Sequence, residues 1–277
     1  MTLLVVEPTT FPIARLLYGG EPRDGELRFA SHTQVLSEET YPAGSVLLSG
    51  VEALPIPQQE ALCQALREKR ALSRVYNWPS TGPRRFAHLR ALHAAGFNEF
   101  HAWLGPEVLE ANKFPLVLRQ VDTGTVLSPI IASREGLLHA CAKLQWQLDA
   151  VLGVELCMQR GADDLYRKYS SFVVGKTTIP VHLHLSRHWL VRGKDRVTTR
   201  DAELEEAEYL AVNPHHEQLC RAAGICAVDF ARVDYVISNG RAQVYEFNMT
   251  PGLGVPAGQE GRESFVRSAL RRALSAL

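Results

Sequence analysis

Two short stretches toward the C-terminal end carry polar residues whose types and spacing could do chemistry. Arg232-Val233-Asp234 and Glu246-Phe247-Asn248 lie on either side of Asn239-Gly240, and Asn-Gly between alternating apolar runs is a strong signal for a two-residue β-hairpin. Strands over Phe230–Ile237 and Gln243–Phe247 are therefore expected. Side chains alternate across a strand, so Arg232 and Asp234 share one face, Glu246 and Asn248 share one face of the partner, and the tight turn brings the two together. Two carboxylates and an amide oxygen converging on an otherwise apolar sheet repel one another and lose hydration. A hard cation between them relieves both costs. Magnesium, held by one or two carboxylates and completed by phosphate oxygens, suits that donor set.

The rest of the chain must supply a scaffold for this hairpin. Leu3–Val6 and Ser45–Leu48 are short apolar runs, separated by a stretch punctuated with Gly and Pro that fits no single element. Pro57 opens a helix with Ala61, Leu62, Ala65 and Leu66 on one face. Val75-Tyr76 is a further strand, and the loop Asn77-Trp78-Pro79-Ser80-Thr81-Gly82-Pro83 after it is a place where a substrate could lie. A helix from Arg84 to Ala95 stops at Gly96. This alternation predicts a wound α/β layer.

A second unit begins near Lys113. Phe114–Leu118 reads as a strand, Thr123-Gly124-Thr125 as a turn, and Ser133 as the N-cap of a long helix ending at Leu152-Gly153. Its stripe is Leu137, Leu138, Cys141, Leu144, Leu148 and Val151. Three strand-like runs, Val154–Met158, Tyr169–Val174 and Ile179–Leu185, are expected to complete the sheet beneath it. Beyond them come an acidic helix over Asp201–Leu210, a second helix ending at Gly224, the hairpin, and a closing helix with Val266, Leu270, Leu274 and Leu277 on one face.

The stretch Gly224 to Gly252, with Arg232-x-Asp234, Asn239-Gly240 and Glu246-x-Asn248-x-x-Pro251-Gly252, resembles the metal-binding end of the ATP-grasp superfamily, of carboxylate-amine ligase type. The resemblance spans about 160 residues, from near Lys113 onward. It implies an α/β and α+β architecture: a short N-terminal α/β domain over 1–105, a small lobe over 106–192, and a C-terminal metal-binding lobe over 193–277. It also implies that Asp234, Glu246 and Asn248 coordinate Mg2+ on the phosphates of ATP, and that Arg232 contacts phosphate or substrate. Phe114-Pro115-Leu116-Val117-Leu118 looks like the strand that delivers a phosphate-binding lysine, and here it delivers Arg119. Arginine keeps the charge and adds a bidentate grip. Glu155-Leu156-Cys157-Met158 falls where the family holds adenine and ribose, and the basic pair Arg167-Lys168 lies within reach of phosphates. The segment Asp122–Pro129 is poorer in glycine than the family's phosphate-covering loop.

The implied reaction is activation of a small-molecule carboxylate as an acylphosphate, followed by capture with an amine or similar nucleophile. A kinase that stops at the phosphorylated acceptor, or an ATP-binding protein without turnover, fits the same residues. Thirty basic residues balance thirty acidic ones among the 277, so no global field favours nucleic acid or an anionic membrane. A hydrophobic content of 46% and a charged content of 22% are those of a soluble globular chain. Met1–Glu7 reads as a buried strand and not an export signal, and no apolar run approaches membrane-spanning length. Five cysteines without a CxxC pair read as reduced thiols of a cytoplasmic protein. A homodimer is compatible with all of this. His182-x-His184 with His188 has a spacing that can serve zinc, but lacks an acidic or thiol companion, which favours core or nucleotide-adjacent imidazoles. His215-His216 reads as solvated helix surface.

Overall fold

The structure, a computed structural model, describes residues 3–7, 12–18, 27–37, 44–51, 54–68, 72–79, 84–121, 125–253, 255 and 259–277. Four strands of the N-terminal part, β1 (Leu3–Glu7), β2 (Leu27–Ser31), β3 (Gly44–Leu48) and β4 (Leu72–Tyr76), form a parallel sheet in the order β2-β1-β3-β4. Every residue of β1 and β3 is buried, as expected of parallel strands covered on both faces. The intervening helices are α1 (Pro12–Tyr18), α2 (His32–Ser37) and α3 (Ile56–Glu68). Pro57 sits in the first turn of α3, which buries Leu62, Cys63 and Leu66. The helix α4 (Arg84–Ala94) then leads out of this unit, and Gly96 ends its last turn with φ of 65°. The strand β2 and the helices α1 and α2 lie in the Gly/Pro-punctuated stretch that the sequence left unassigned.

Ser133 caps α5 (Arg134–Lys143) by accepting a hydrogen bond from the Gly136 amide. The expected long helix is shorter. It gives way to a 3-10 turn over Gln145–Ala150 and then to the strand β7 (Val151–Glu155), so Leu152-Gly153 is strand and not helix end. Leu138 of the expected stripe is exposed, but Leu144, Leu148 and Val151 pack in one core with Leu137 and Cys141 although the backbone has changed from helix to strand. Gly153 lets Val108 approach to where a Cβ would be 3.2 Å away. β7 lies between β5 (Ala102–Leu104) and β6 (Leu116–Gln120) in an antiparallel three-stranded sheet.

The sheet expected beneath α5 is therefore made of different strands. β8 (Tyr166–Val174) and β9 (Thr177–Ser186) join the hairpin strands β10 (Phe230–Ser238) and β11 (Arg241–Asn248) in a four-stranded antiparallel sheet of order β11-β10-β8-β9. One face of it packs on α6 (Arg200–Val212) and α7 (His216–Ile225) through Val173, Leu183, Val233 and Leu219. The other face carries Phe172, Val174, Val181 and Phe230, which share a core with α1, β1 and the closing helix α8 (Glu260–Ser275). Val266, Leu270 and Leu274 form the buried stripe of α8, as their spacing predicts.

Asn77, at the end of β4, fastens the parallel unit to this sheet. Its amide side chain donates to the Phe230 carbonyl at 2.8 Å and accepts from the Asp229 and Phe230 amides at 2.8 and 3.0 Å. Its φ of 55° is one that asparagine tolerates better than most residues. The residue offered above as part of a substrate loop is thus a strut, and Ser80 to Pro83 lie outside the described residues, as do Asp122, Thr123 and Gly124.

Candidate active site

The hairpin turns on Asn239 and Gly240 with consecutive positive φ of 51° and 73°, the conformation a type I′ turn demands. The register that follows sets Asp234 opposite Glu246 and Arg232 opposite Asn248. A bulge between Asp234 and Tyr235 bends the strand there. The row continues into the sheet, because Asp234 lies opposite Ser170 of β8 and Ser170 opposite His182 of β9. The apolar face under α8 thus ends in a polar patch.

Asp234 is held from three sides. Ser170 Oγ donates to Oδ1 at 2.6 Å, Lys168 Nζ reaches Oδ2 at 3.2 Å, and Arg232 Nε reaches Oδ1 at 3.3 Å. Burial alone would raise its pKa, but Lys168 and Arg232 outweigh that and hold the carboxyl ionised well below the usual carboxylate range. Glu246 pairs with Arg85 of α4. Arg232 also donates from Nη1 to the Gly252 carbonyl at 3.0 Å, and Asn248 Oδ1 accepts from the Thr250 amide at 3.1 Å. The segment Asn248 to Gly252 is thereby tied back onto the carboxylate pair.

A cleft of about 210 Å3 separates this patch from the three-stranded sheet. Lys168, Asp234 and Glu246 line one wall; Val117, Arg119 and Val154 line the other; Leu156 and Met158 lie beside them. Val117 and Arg119 face the cleft together because they are two apart on β6. Burial first, and then the neighbouring Arg85, lower the pKa of Arg119, while Glu246, Tyr245 and Asp234 oppose the shift. Arg119 is therefore a half-buried member of the same charge cluster and not an exposed strand-end cation.

Three residues expected at the site are placed elsewhere. Glu155 lies opposite Leu116, whose side chain belongs to the core under α5, so the alternation of β7 turns it away from the cleft. It is buried, with Oε2 accepting from the His101 amide at 2.8 Å. Cys157 packs against Tyr245, whose hydroxyl lies 3.3 Å from its thiol and accepts from its amide at 3.0 Å. Arg167, adjacent to Lys168 on β8, points to the opposite face, where Glu205 and Asp163 hold it at 2.6 and 2.8 Å. Missed by the sequence reading is Arg85, whereas Leu156 and Met158 lie within the stretch 155–158 that it placed at the nucleotide, although it singled out Glu155 and Cys157 there. Only the Arg84-Arg85 pair opening α4 offered a signal.

His182 and His184 stack at 3.9 Å between ring centroids with nearly parallel planes, which does not converge their nitrogens on one ion. His215 is half-buried, its Nδ1 3.0 Å from the Tyr235 hydroxyl, and not the solvated residue expected, whereas His216 is exposed. Burial, then Lys168 and Arg196, lower the pKa of His184 to about 4; burial, then Arg84, lower that of His88 to about 4. Unfolded chains take up these protons near pH 6.5 and the folded protein only near pH 4, so stability is lost as pH falls through that window. Thermal midpoints between pH 7 and 4 are expected to fall steeply, and the variant H88Q/H184Q to show a shallower slope.

Comparison with known proteins follows the same lines. No protein-family model and no curated protein matches the sequence. Among solved structures, the D-alanine–D-alanine ligase from Bacillus anthracis covers 100% of both chains at 14% identity with a TM-score of 0.56. The ATP-grasp ligase PsnB complexed with minimal precursor covers 99% of each chain at 16% identity with a TM-score of 0.53. The chain has the ATP-grasp fold. A third ATP-grasp neighbour, the D-alanine–D-alanine ligase from Coxiella burnetii, covers 100% of this chain and 95% of its own at 13% identity with a TM-score of 0.54. In the ATP-grasp fold of this chain, the two antiparallel sheets form the cleft walls and the parallel sheet is joined to the four-stranded one through Asn77. Among the described residues no helix is long and apolar enough to cross a membrane, and all five cysteines are free thiols.

Proposed function

We propose that this protein is an ATP- and magnesium-dependent ligase that activates a small-molecule carboxylate as an acylphosphate for capture by an amine or similar nucleophile. The observation that carries this reading is the pair Asp234 and Glu246, opposed in register at a cleft where Lys168, Arg232, Arg85 and Arg119 surround them. Four cations against two carboxylates leave an excess of positive charge that a polyphosphate neutralises. Structures with the same fold include a complex with ATP and one with Mg and ADP, which supports the same ligands here.

The donor set fits magnesium. Asp234, Glu246 and Asn248 would hold the ion, which when bound neutralises charge on the phosphate oxygens. Among the described residues no group of three or more His, Cys, Asp or Glu is placed to hold a metal, and phosphate and water oxygens would have to complete the shell. Arg119 and Lys168 grip phosphate oxygens, and Arg232 holds phosphate or the acceptor while anchoring Gly252. Leu156 and Met158, with Val117 and Val154, form the apolar wall for the base, within the stretch 155–158 where the resemblance implied that adenine and ribose are held.

A carboxylate oxygen of the substrate attacks the γ-phosphorus of ATP, the bond to the bridging oxygen breaks, and ADP leaves. The amine nitrogen then attacks the acyl carbon, the carbon–oxygen bond to phosphate breaks, and the nitrogen gives its proton to solvent. The protein supplies position and charge compensation. The test is ADP release across mixtures of amino acids and small carboxylates at saturating Mg2+. Release that requires both a carboxylate and an amine is expected. A phosphorylated product accumulating without amine makes the protein a kinase, and ATP binding without ADP release in any mixture makes it non-catalytic.

A further inference from the structure

The two carboxylates of the site are held in different ways. Asp234 is fixed by Lys168, Ser170 and Arg232, all on strands of its own sheet. Glu246 is held by Arg85, which comes from outside that sheet, on the helix that leads out of the parallel unit. The pair is largely enclosed, with side-chain exposures of 14% for Arg85 and 25% for Glu246. Arg85 Nη2 occupies Glu246 Oε1, and the other amino group, Nη1, is buried without a hydrogen-bond partner. A guanidinium on a carboxylate takes the lone pairs that a cation would use, and a divalent ion placed beside it meets strong like-charge repulsion where solvent screening is weak. The unpartnered Nη1 leaves part of the guanidinium's donor capacity unsatisfied while it is closed on Glu246.

Resting on the magnesium role proposed for Glu246, we infer that Arg85 is a gate residue. It bars divalent cations from Glu246 in the nucleotide-free protein and turns away only when the oxygens of a polyphosphate take up its guanidinium. Metal and nucleotide then enter together, and each raises the affinity of the other by the same factor. A protein gated in this way does not hold a lone divalent ion at the site. Because Arg85 belongs to α4, the same residue joins the state of the metal site to the helix that follows the N-terminal unit.

The experiment is titration of Mn2+ without nucleotide, followed by the electron paramagnetic resonance signal of free Mn2+, on wild type, Arg85→Gln and Arg85→Lys, each with and without Glu246→Ala. Arg85→Gln is expected to bind Mn2+ about tenfold tighter or more, the factor associated with releasing a charged hydrogen-bonded partner. Arg85→Lys keeps the charge and stays near wild type. Binding by Arg85→Gln no tighter than wild type, while Glu246→Ala still weakens it, overturns the gate and leaves the metal site standing. Indifference of Mn2+ affinity to Glu246→Ala in both backgrounds overturns the metal assignment itself. If Arg85→Gln does not fold, Arg85→Met, which retains an apolar stem, carries the same comparison.

Discussion

Replacing Glu246 with Gln is expected to lower ADP release by about 100-fold or more, the range seen when a fixed electrostatic stabiliser is removed from a reacting phosphoryl or acyl centre. The amide keeps the shape and one acceptor oxygen but loses the charge. Its effect on stability is moderate and separable from the loss of turnover. Relief of repulsion between the two carboxylates adds little back, because that repulsion is already answered by Arg85, Lys168 and Arg232. What the variant loses is one ionised partner of a largely enclosed pair, which leaves Arg85 without its counter-charge, about 1.5–3 kcal/mol or several degrees in thermal midpoint. Turnover and thermal midpoint measured on one preparation check both halves. Near-normal turnover at saturating Mg2+ would remove Glu246 from the site.

Much of this site was legible because it sits on a hairpin. Asn239-Gly240 fixes the turn, the turn fixes the register, and period-two alternation then decides which side chains meet. The same alternation, applied one strand further, would have separated Lys168 from Arg167 and turned Glu155 away from Val154. What hides it in the sequence is that the register of β7 and β8 depends on partners far along the chain. Membership of sheets was illegible for a related reason: apolar runs at Tyr166–Val174 and Thr177–Ser186 look alike whether they pair with β7 or with β10. The long helix after Ser133 failed because its stripe serves one core in three backbone states. The Arg84-Arg85 pair was a weak signal because a basic residue opening a helix is usually solvated, and only the packing of α4 against β11 brings Arg85 to Glu246.

Arg119 gives the second large effect, and its placement sharpens what to expect. It stands on the cleft face of β6 between Val117 and the charge cluster of Arg85, Glu246 and Asp234. If it grips phosphate through its fork, Arg119→Lys keeps charge but loses the bidentate geometry, and Arg119→Ala loses both. Activity is then expected to rank Arg above Lys above Ala. A charge-assisted hydrogen bond in an enclosed cleft contributes about 1.5–3 kcal/mol, so Ala should cost about tenfold or more in kcat/KM for ATP. Removing the guanidinium also lifts its repulsion on Arg85, and this works against the loss by leaving the neighbouring cation free to partner phosphate. The Lys variant separates the two effects, because it retains the repulsion while giving up the fork. ATP kinetics for both variants at fixed ionic strength make the measurement. A loss below about twofold for Ala is within reach of a screened, non-contacting charge, and it would leave phosphate binding to Lys168, Arg232 and the metal.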